Sequence, residues 1–135
     1  MKILLSIKPE FADKILSGKK RFEFRKAAFA NIQPTCIVIY ATQPVGKVVG
    51  EFDVAHIFVD DPENIWKKTK QYAGIEKKRY DEYYNGKNKA VALGVGEVRK
   101  YDSPFSLNEF SGGVSAPQSF MYLDKVKNEA QMILV

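Results

Sequence analysis

The strongest constraint on this chain lies between Leu16 and Lys26, where it reads Leu-Ser-Gly-Lys-Lys-Arg-Phe-Glu-Phe-Arg-Lys. Gly18 tolerates a positive φ and so stops any helix that precedes it. From Arg21 onward the period is two: Phe22 and Phe24 point to one side, and Arg21, Glu23 and Arg25 to the other. This predicts a strand over residues 20–26 with one face made for a core. The opposite face presents a carboxylate between two guanidiniums. Lysine and arginine on such a face can simply solvate a sheet edge and discourage edge-to-edge pairing. Solvation does not call for Glu23, whereas a carboxylate there can orient the guanidinium forks toward a phosphate or a base edge.

The flanking segments predict an alternation of strands and short helices. Met1 to Lys8 is an apolar strand with a polar exit. Pro9 suits the first turn of a helix, where its missing N–H has no partner to lose. Phe11, Ala12, Ile15 and Leu16 give that helix an apolar stripe, and Gly18 ends it. Residues 27–35 form a loop, and Cys36 to Thr42 is a near-continuously apolar, central strand. Tyr40 in it is read as a core tyrosine. After the turn at Gln43-Pro44-Val45-Gly46, Lys47 to Val59 is a strand long enough to need a bend, placed at Gly50.

Asp60-Asp61-Pro62-Glu63 is a helix start, with two helices predicted over 62–73 and 75–84, divided at Gly74 and closed at Asn85-Gly86. Trp66, Tyr72, Tyr80, Tyr83 and Tyr84 line them among lysines. Such a pattern can stack on bases, and it also describes aromatics that pack a helix pair onto a sheet. Lys89 to Tyr101 is a further strand, with Gly94 and Gly96 marking a bulge or a close backbone approach. Ser103 to Phe110 reads as a capped single turn, and Ala130 to Val135 as a final strand. The long bent strands point to a small mixed barrel rather than a parallel sheet.

Length and composition narrow the function. At 135 residues the chain suits a single domain spanning 1–135, with a real core. No run of about 18 apolar residues is present, so no membrane span is expected. The N-terminus carries no signal-peptide pattern. Together with the single cysteine, Cys36, set among Ile37, Val38 and Ile39, this places the expected location in the cytoplasm. His56 is the only histidine, and no second His or Cys stands at a useful spacing, so no metal site is expected. Without a Walker motif or a G-x-G-x-x-G after a strand, no cofactor is expected either. The net charge is +5, and it is polarised: residues 1–26 carry eight Lys/Arg against three acids, and residues 62–89 carry eight against four. That distribution predicts a polyanionic partner.

Gly18-Lys19-Lys20-Arg21-Phe22-Glu23-Phe24-Arg25 reads G-x-K-x-x-E-x-R. It follows Leu4-Leu5-Ser6-Ile7-Lys8-Pro9, and a late Ala116-Pro117-Gln118-Ser119-Phe120-Met121-Tyr122 segment completes the set. In this order the three pieces resemble the ASCH domain family, the activating-signal-cointegrator homology domains related to PUA-like RNA-binding barrels. The resemblance spans nearly the whole chain. It implies an α+β fold, a small PUA-like mixed β-barrel of five or six strands flanked by helices.

The resemblance also implies a cleft between the first helix, the motif strand and the late loop. Lys8, Lys20 and Arg25 would neutralise phosphate there, and Glu23 would orient Arg25 or accept from a base amino group. Gln118, Ser119 and Tyr122 would supply polar and stacking contacts. RNA is the favoured partner, ahead of another nucleic acid or nucleotide, and the chain is expected to act as a monomer. Strict alternation puts Lys20 on the face opposite Glu23, so Lys20 joins the cleft only if the regular strand begins after it.

An enzyme is the alternative. Some ASCH proteins are ribonucleases, and others hydrolyse the acetyl amide of N4-acetylcytidine. In either case Lys20 and Glu23 would be the catalytic pair. The amidohydrolase branch carries Thr where this chain has Arg21 and Glu23, so a Lys–Thr–Glu mechanism lacks its hydroxyl here. A coregulator-type module binding protein through an exposed aromatic patch on residues 62–84 is a further alternative.

Overall fold

A computed structural model describes residues 2–29, 33–107, 120–123 and 130–133. Strand β1 (Lys2–Ile7) leads into helix α1 (Pro9–Leu16), followed by β2 (Phe22–Arg25), β3 (Cys36–Ala41) and β4 (Lys47–Asp60). Helix α2 (Pro62–Thr69), a single 3-10 turn (Lys70–Tyr72) and α3 (Lys77–Tyr83) come next, then β5 (Ala90–Phe105), β6 (Phe120–Leu123) and β7 (Ala130–Ile133). The strands form one mixed sheet in the order β2-β5-β4-β3-β1-β6-β7. Only β1 and β3 pair in parallel among the described strands; the other neighbours are antiparallel.

The class is α+β with flanking helices, as expected. The sheet has seven strands, one beyond the upper end of the five or six expected, and the described residues do not close it into a barrel. The additional strand is β6, whose Phe120 to Tyr122 segment the sequence reading took as a site loop rather than as a partner of β1. Strand β5 also runs on through Phe105, where a capped turn was expected at Ser103. The pairing of Val48 with Phe105 accounts for this, since it holds the end of β5 on the start of β4. Register shifts in β4 flank Gly50 and recur near Val54, so the long strand bends more than once.

Local signals set the helices. Gly18 ends α1 with φ 83°. Asp61 caps α2, its carboxylate accepting from the Asn64 N–H at 2.9 Å, with Pro62 in the first turn. Alternation then distributes the core over both faces of the sheet. On one face Ile3, Leu5, Ile37, Ile39, Phe52, Val91 and Leu93 are covered by Ala12 and Ile15 of α1. On the other, Phe24, Ala90 and Ala92 lie beneath Ile65, Tyr80 and Tyr84 of α2 and α3. Cys36 is buried, and its thiol hydrogen-bonds the Glu51 carboxylate at 3.2 Å.

Two tyrosine hydroxyls tie α3 down. Tyr80 donates to the Pro62 carbonyl at 2.7 Å, and Tyr84 donates to the Arg25 carbonyl at 2.8 Å. Replacing Tyr84 with Phe leaves the ring packing but removes the hydroxyl's hydrogen bonds to the Arg25 and Val91 carbonyls. Tyr84→Phe is therefore expected to lower stability by about 1–2 kcal/mol. Tyr72→Phe, at a ring that is 52% exposed, is expected to change little. Urea unfolding midpoints of the two variants check this.

Candidate functional site

A cleft of about 420 Å³ opens beside the edge strand β2. Three walls enclose it. Ser6, Ile7 and Lys8 at the end of β1, with Phe11 of α1, form one wall; Lys20, Glu23, Phe24 and Arg25 form the second. Arg79, Glu82 and Tyr83 of α3 form the third, with Ile75.

The structure thus brings together Lys8, Lys20, Glu23 and Arg25. Lys20 faces the cleft because β2 begins at Phe22, which leaves Lys20 in the turn after Gly18 and outside the strand's alternation. Lys20 is 1% exposed, and its ammonium donates to the Ala73 carbonyl at 2.5 Å and lies over the rings of Phe24 and Phe11 at 4.7 and 5.2 Å. Burial pushes its pKa down to about 8, against a partial upward pull from the Glu23 carboxylate. Glu23 is 7% exposed, and its Oε1 accepts from the Phe24 N–H at 3.3 Å. Arg25 pairs with it at 3.7 Å.

Two expectations are corrected and one is extended. Arg21 does not flank Glu23: its guanidinium donates to the Val95 carbonyl at 3.3 Å on β5, because Arg21 precedes the regular strand. The solvated-edge reading of this face also fails, since Glu23 is buried against the cleft wall. The wall from α3 went unread. Arg79 lies 4.8 Å over Phe11 and pairs with Glu10 at 2.7 Å. Arg79, Glu82 and Tyr83 share one helical face at i, i+3 and i+4, a visible spacing with nothing in the sequence to say which surface that face meets.

Gln118 and Ser119 lie outside the described residues. Tyr122 falls within β6, opposite Ile3, and Phe120 stands opposite Leu5, at the end of β1 that leads into the cleft wall. The helix aromatics are core material: Tyr80 and Tyr84 are buried, and Trp66 packs against Tyr80 with centroids 4.8 Å apart. Among the described residues no group of three or more His, Cys, Asp or Glu is placed to hold a metal ion, and no helix is long and apolar enough to cross a membrane.

A family model described as the ASCH domain matches residues 5–99, which include the cleft residues of β1, α1, β2 and α3. The chain belongs to the ASCH domain family. This ASCH domain is 31% identical over 129 residues to the ASCH domain-containing ribonuclease of Zymomonas mobilis, across 93% of this chain and 86% of that protein. The crystal structure of ASCH from Zymomonas mobilis matches it with a TM-score of 0.84 over 93% of this chain and 89% of that chain. The chain is also 35% identical over 122 residues to large ribosomal subunit protein uL22 of Ureaplasma parvum, and the match spans only 39% of that protein's length.

The buried lysine has a measurable signature. With Lys20 depressed from an ordinary 10.5 to about 8, the unfolded chain binds more protons than the folded one between those values, so stability rises with pH through that window. Between pH 7 and 9 the gain is about 1 kcal/mol. Above pH 9 an opposing drift sets in, because burial raises Cys36 from 9.0 to about 11 and holds the hydroxyls of Tyr80, Tyr84 and Tyr101 above their usual range. Urea unfolding at pH 7, 8 and 9 is expected to show the rise in the wild type and its loss in Lys20→Met.

Proposed function

We propose that the cleft between α1, β2 and α3 binds single-stranded RNA through its phosphates. The observation that carries this reading is the convergence of Lys8, Lys20, Arg25 and Arg79 on one recess containing Glu23. Lys8 is exposed at the rim, and Arg25 and Arg79 are partly exposed, so these three meet phosphate oxygens directly. Lys20 adds its charge from beneath. Glu23 holds Arg25 in place or turns to accept from a base amino group. Gln118, Ser119 and Tyr122 contribute polar and stacking contacts from the late segment. Affinity for a labelled single-stranded RNA should fall with salt at a log–log slope of about −2, three contacts at roughly −0.7 each. Lys8→Ala and Arg25→Ala should each weaken binding and flatten the slope by roughly 0.7. Absence of binding at low salt would overturn the reading.

A ribonuclease is the second reading, favoured by the buried Lys20 beside Glu23 and by the relative that bears that name. In it the Glu23 carboxylate takes the proton of a ribose 2′-hydroxyl and the freed oxygen attacks the adjacent phosphorus. The P–O5′ bond breaks, and the Lys20 ammonium gives its proton to the leaving 5′ oxygen. A pKa of about 8 keeps Lys20 charged at neutral pH and makes it a readier donor than an ordinary lysine. Cleavage should then decline as pH rises through about 8. Lys20→Met and Glu23→Gln should each lose about 10²-fold or more in rate. A wild type that binds RNA and leaves it intact sinks this second reading and spares the first. Deacetylation of N4-acetylcytidine has no place in either, because Arg21 and Glu23 occupy the positions that carry Thr in that branch and Arg21 is committed to β5.

A further inference from the structure

Inside the cleft the aromatic faces are already taken by cations. Phe11 lies between Lys20 and Arg79, Phe24 carries Lys20, and Tyr83 carries Lys26 at 4.6 Å. Bases of a bound strand therefore find poor stacking there. A different set of rings stands on the sheet face that α2 and α3 cover only in part. Phe22 of β2, Gly94 of β5 and His56 of β4 occupy one register row across three neighbouring strands. A Cβ on Gly94 would come within 2.5 Å of His56 Nε2, so the bare glycine lets the imidazole lie down on the backbone of β5. Phe58 adjoins it, with ring centroids 4.5 Å from His56 and 6.2 Å from Phe22. The imidazole is exposed, while Phe22 and Phe58 are half-buried.

Two cations border the row: Lys68 reaches over Phe58 at 5.4 Å, and the exposed Arg21 precedes Phe22 directly. Of the acids on β4 and β5, Asp53 and Glu97 are taken up by Arg99 at 2.5 and 3.5 Å. Asp60, two residues beyond Phe58 and close to Lys68, accepts from the Asp61 N–H at 2.7 Å and the Asn64 amide at 3.4 Å. The row also joins the cleft through β2, which rises only about 10 Å from Phe22 to Arg25. Aromatic rings on adjacent strands, edged by cations, suit the stacking of unpaired bases.

We infer that Phe22, His56 and Phe58 form a second subsite where bases of single-stranded RNA stack as the strand leaves the cleft. The inference rests on the RNA reading of the cleft and adds to it a contact that carries no phosphate. The bases stack on the His56 ring, Phe22 and Phe58 hold that ring flat, and Lys68 meets the neighbouring phosphate. The bound segment then spans the cleft and the row, on the order of four nucleotides or more.

The test is fluorescence anisotropy with a labelled ten-nucleotide oligouridylate across a salt series, on wild type, His56→Ala, His56→Phe and Arg25→Ala, each checked for folding by circular dichroism. His56→Ala should weaken binding at least about fivefold, the low end for one lost base stack, with the salt slope unchanged. His56→Phe should restore most of the affinity. Arg25→Ala should flatten the slope, which marks a phosphate contact. Wild-type affinity in His56→Ala together with a weakened Arg25→Ala overturns the second subsite and leaves the cleft reading standing. The reverse pattern removes the cleft and keeps the subsite. A wild type that does not bind at low salt overturns both.

Discussion

A lysine ammonium with almost no exposure holds the walls of the cleft together. Taking such a charge out of water costs several kcal/mol unless its surroundings replace the lost hydration. Around Lys20 they do so from three elements at once. Phe11 of α1 and Phe24 of β2 offer ring faces, and the Ala73 carbonyl follows the 3-10 turn, at the negative end of that helical segment. The neighbouring carbonyls are taken in the same way: Tyr72 accepts from the Arg21 N–H at 2.9 Å and Gly74 from the Lys14 ammonium at 3.4 Å. The turn after α1 is thereby clamped to residues 72–74, at the end of the 3-10 turn. Gly74 completes the fit, since with φ 66° a Cβ there would lie 2.5 Å from the Lys20 side chain.

Two buried carboxylates show what this arrangement leaves available. Glu51 accepts from Arg99 at 2.7 Å, Tyr101 at 2.8 Å and Cys36 at 3.2 Å, with Lys2 at 3.8 Å. Those hydrogen bonds outweigh desolvation, which acts in the opposite sense, and hold its carboxyl below the usual range. A carboxylate so bound is structural, and a ligand gains nothing by approaching it. Glu23 is held by a looser pair with Arg25 and by one N–H from its own strand. It can exchange these for other groups at much smaller loss, and it lines the same cleft as Lys8, Lys20 and Arg79.

What the sequence could reveal follows the range of the interactions. Period-two alternation in β2, the proline and glycine limits of α1 and the Asp61 cap of α2 are local, and each was legible. So was the choice of Lys8, Lys20, Glu23 and Arg25 as neighbours, through the three family-like segments, although alternation alone would have excluded Lys20. The burial of Lys20 was not legible, because its compensation comes from residues 72–74, more than fifty positions away. The sequence reading passed over Arg79 and left Tyr83 open between base stacking and helix packing for the same reason: their place beside the cleft depends on α3 meeting Glu10 and Phe11 of α1. Arg21 was misread because its partner Val95 belongs to a strand whose register the sequence does not state.

The cleft exists because β2 is an edge. The Val95 N–H donates to the Arg21 carbonyl at 2.9 Å, and antiparallel alternation then turns the N–H and C=O of Phe24 away from β5. Left bare, such an edge would recruit another strand. Here side chains close it: the Glu23 carboxylate takes the Phe24 N–H at 3.3 Å, and the Tyr83 hydroxyl donates to the Phe24 carbonyl at 3.4 Å. Strand addition is blocked without covering the edge by another element, and a polar recess remains instead of a ladder. On the RNA reading proposed above, a phosphate oxygen entering that recess would replace Glu23 on the Phe24 N–H and free the carboxylate to turn toward a base or a ribose hydroxyl. The device that protects the edge would then also be the one released by the ligand.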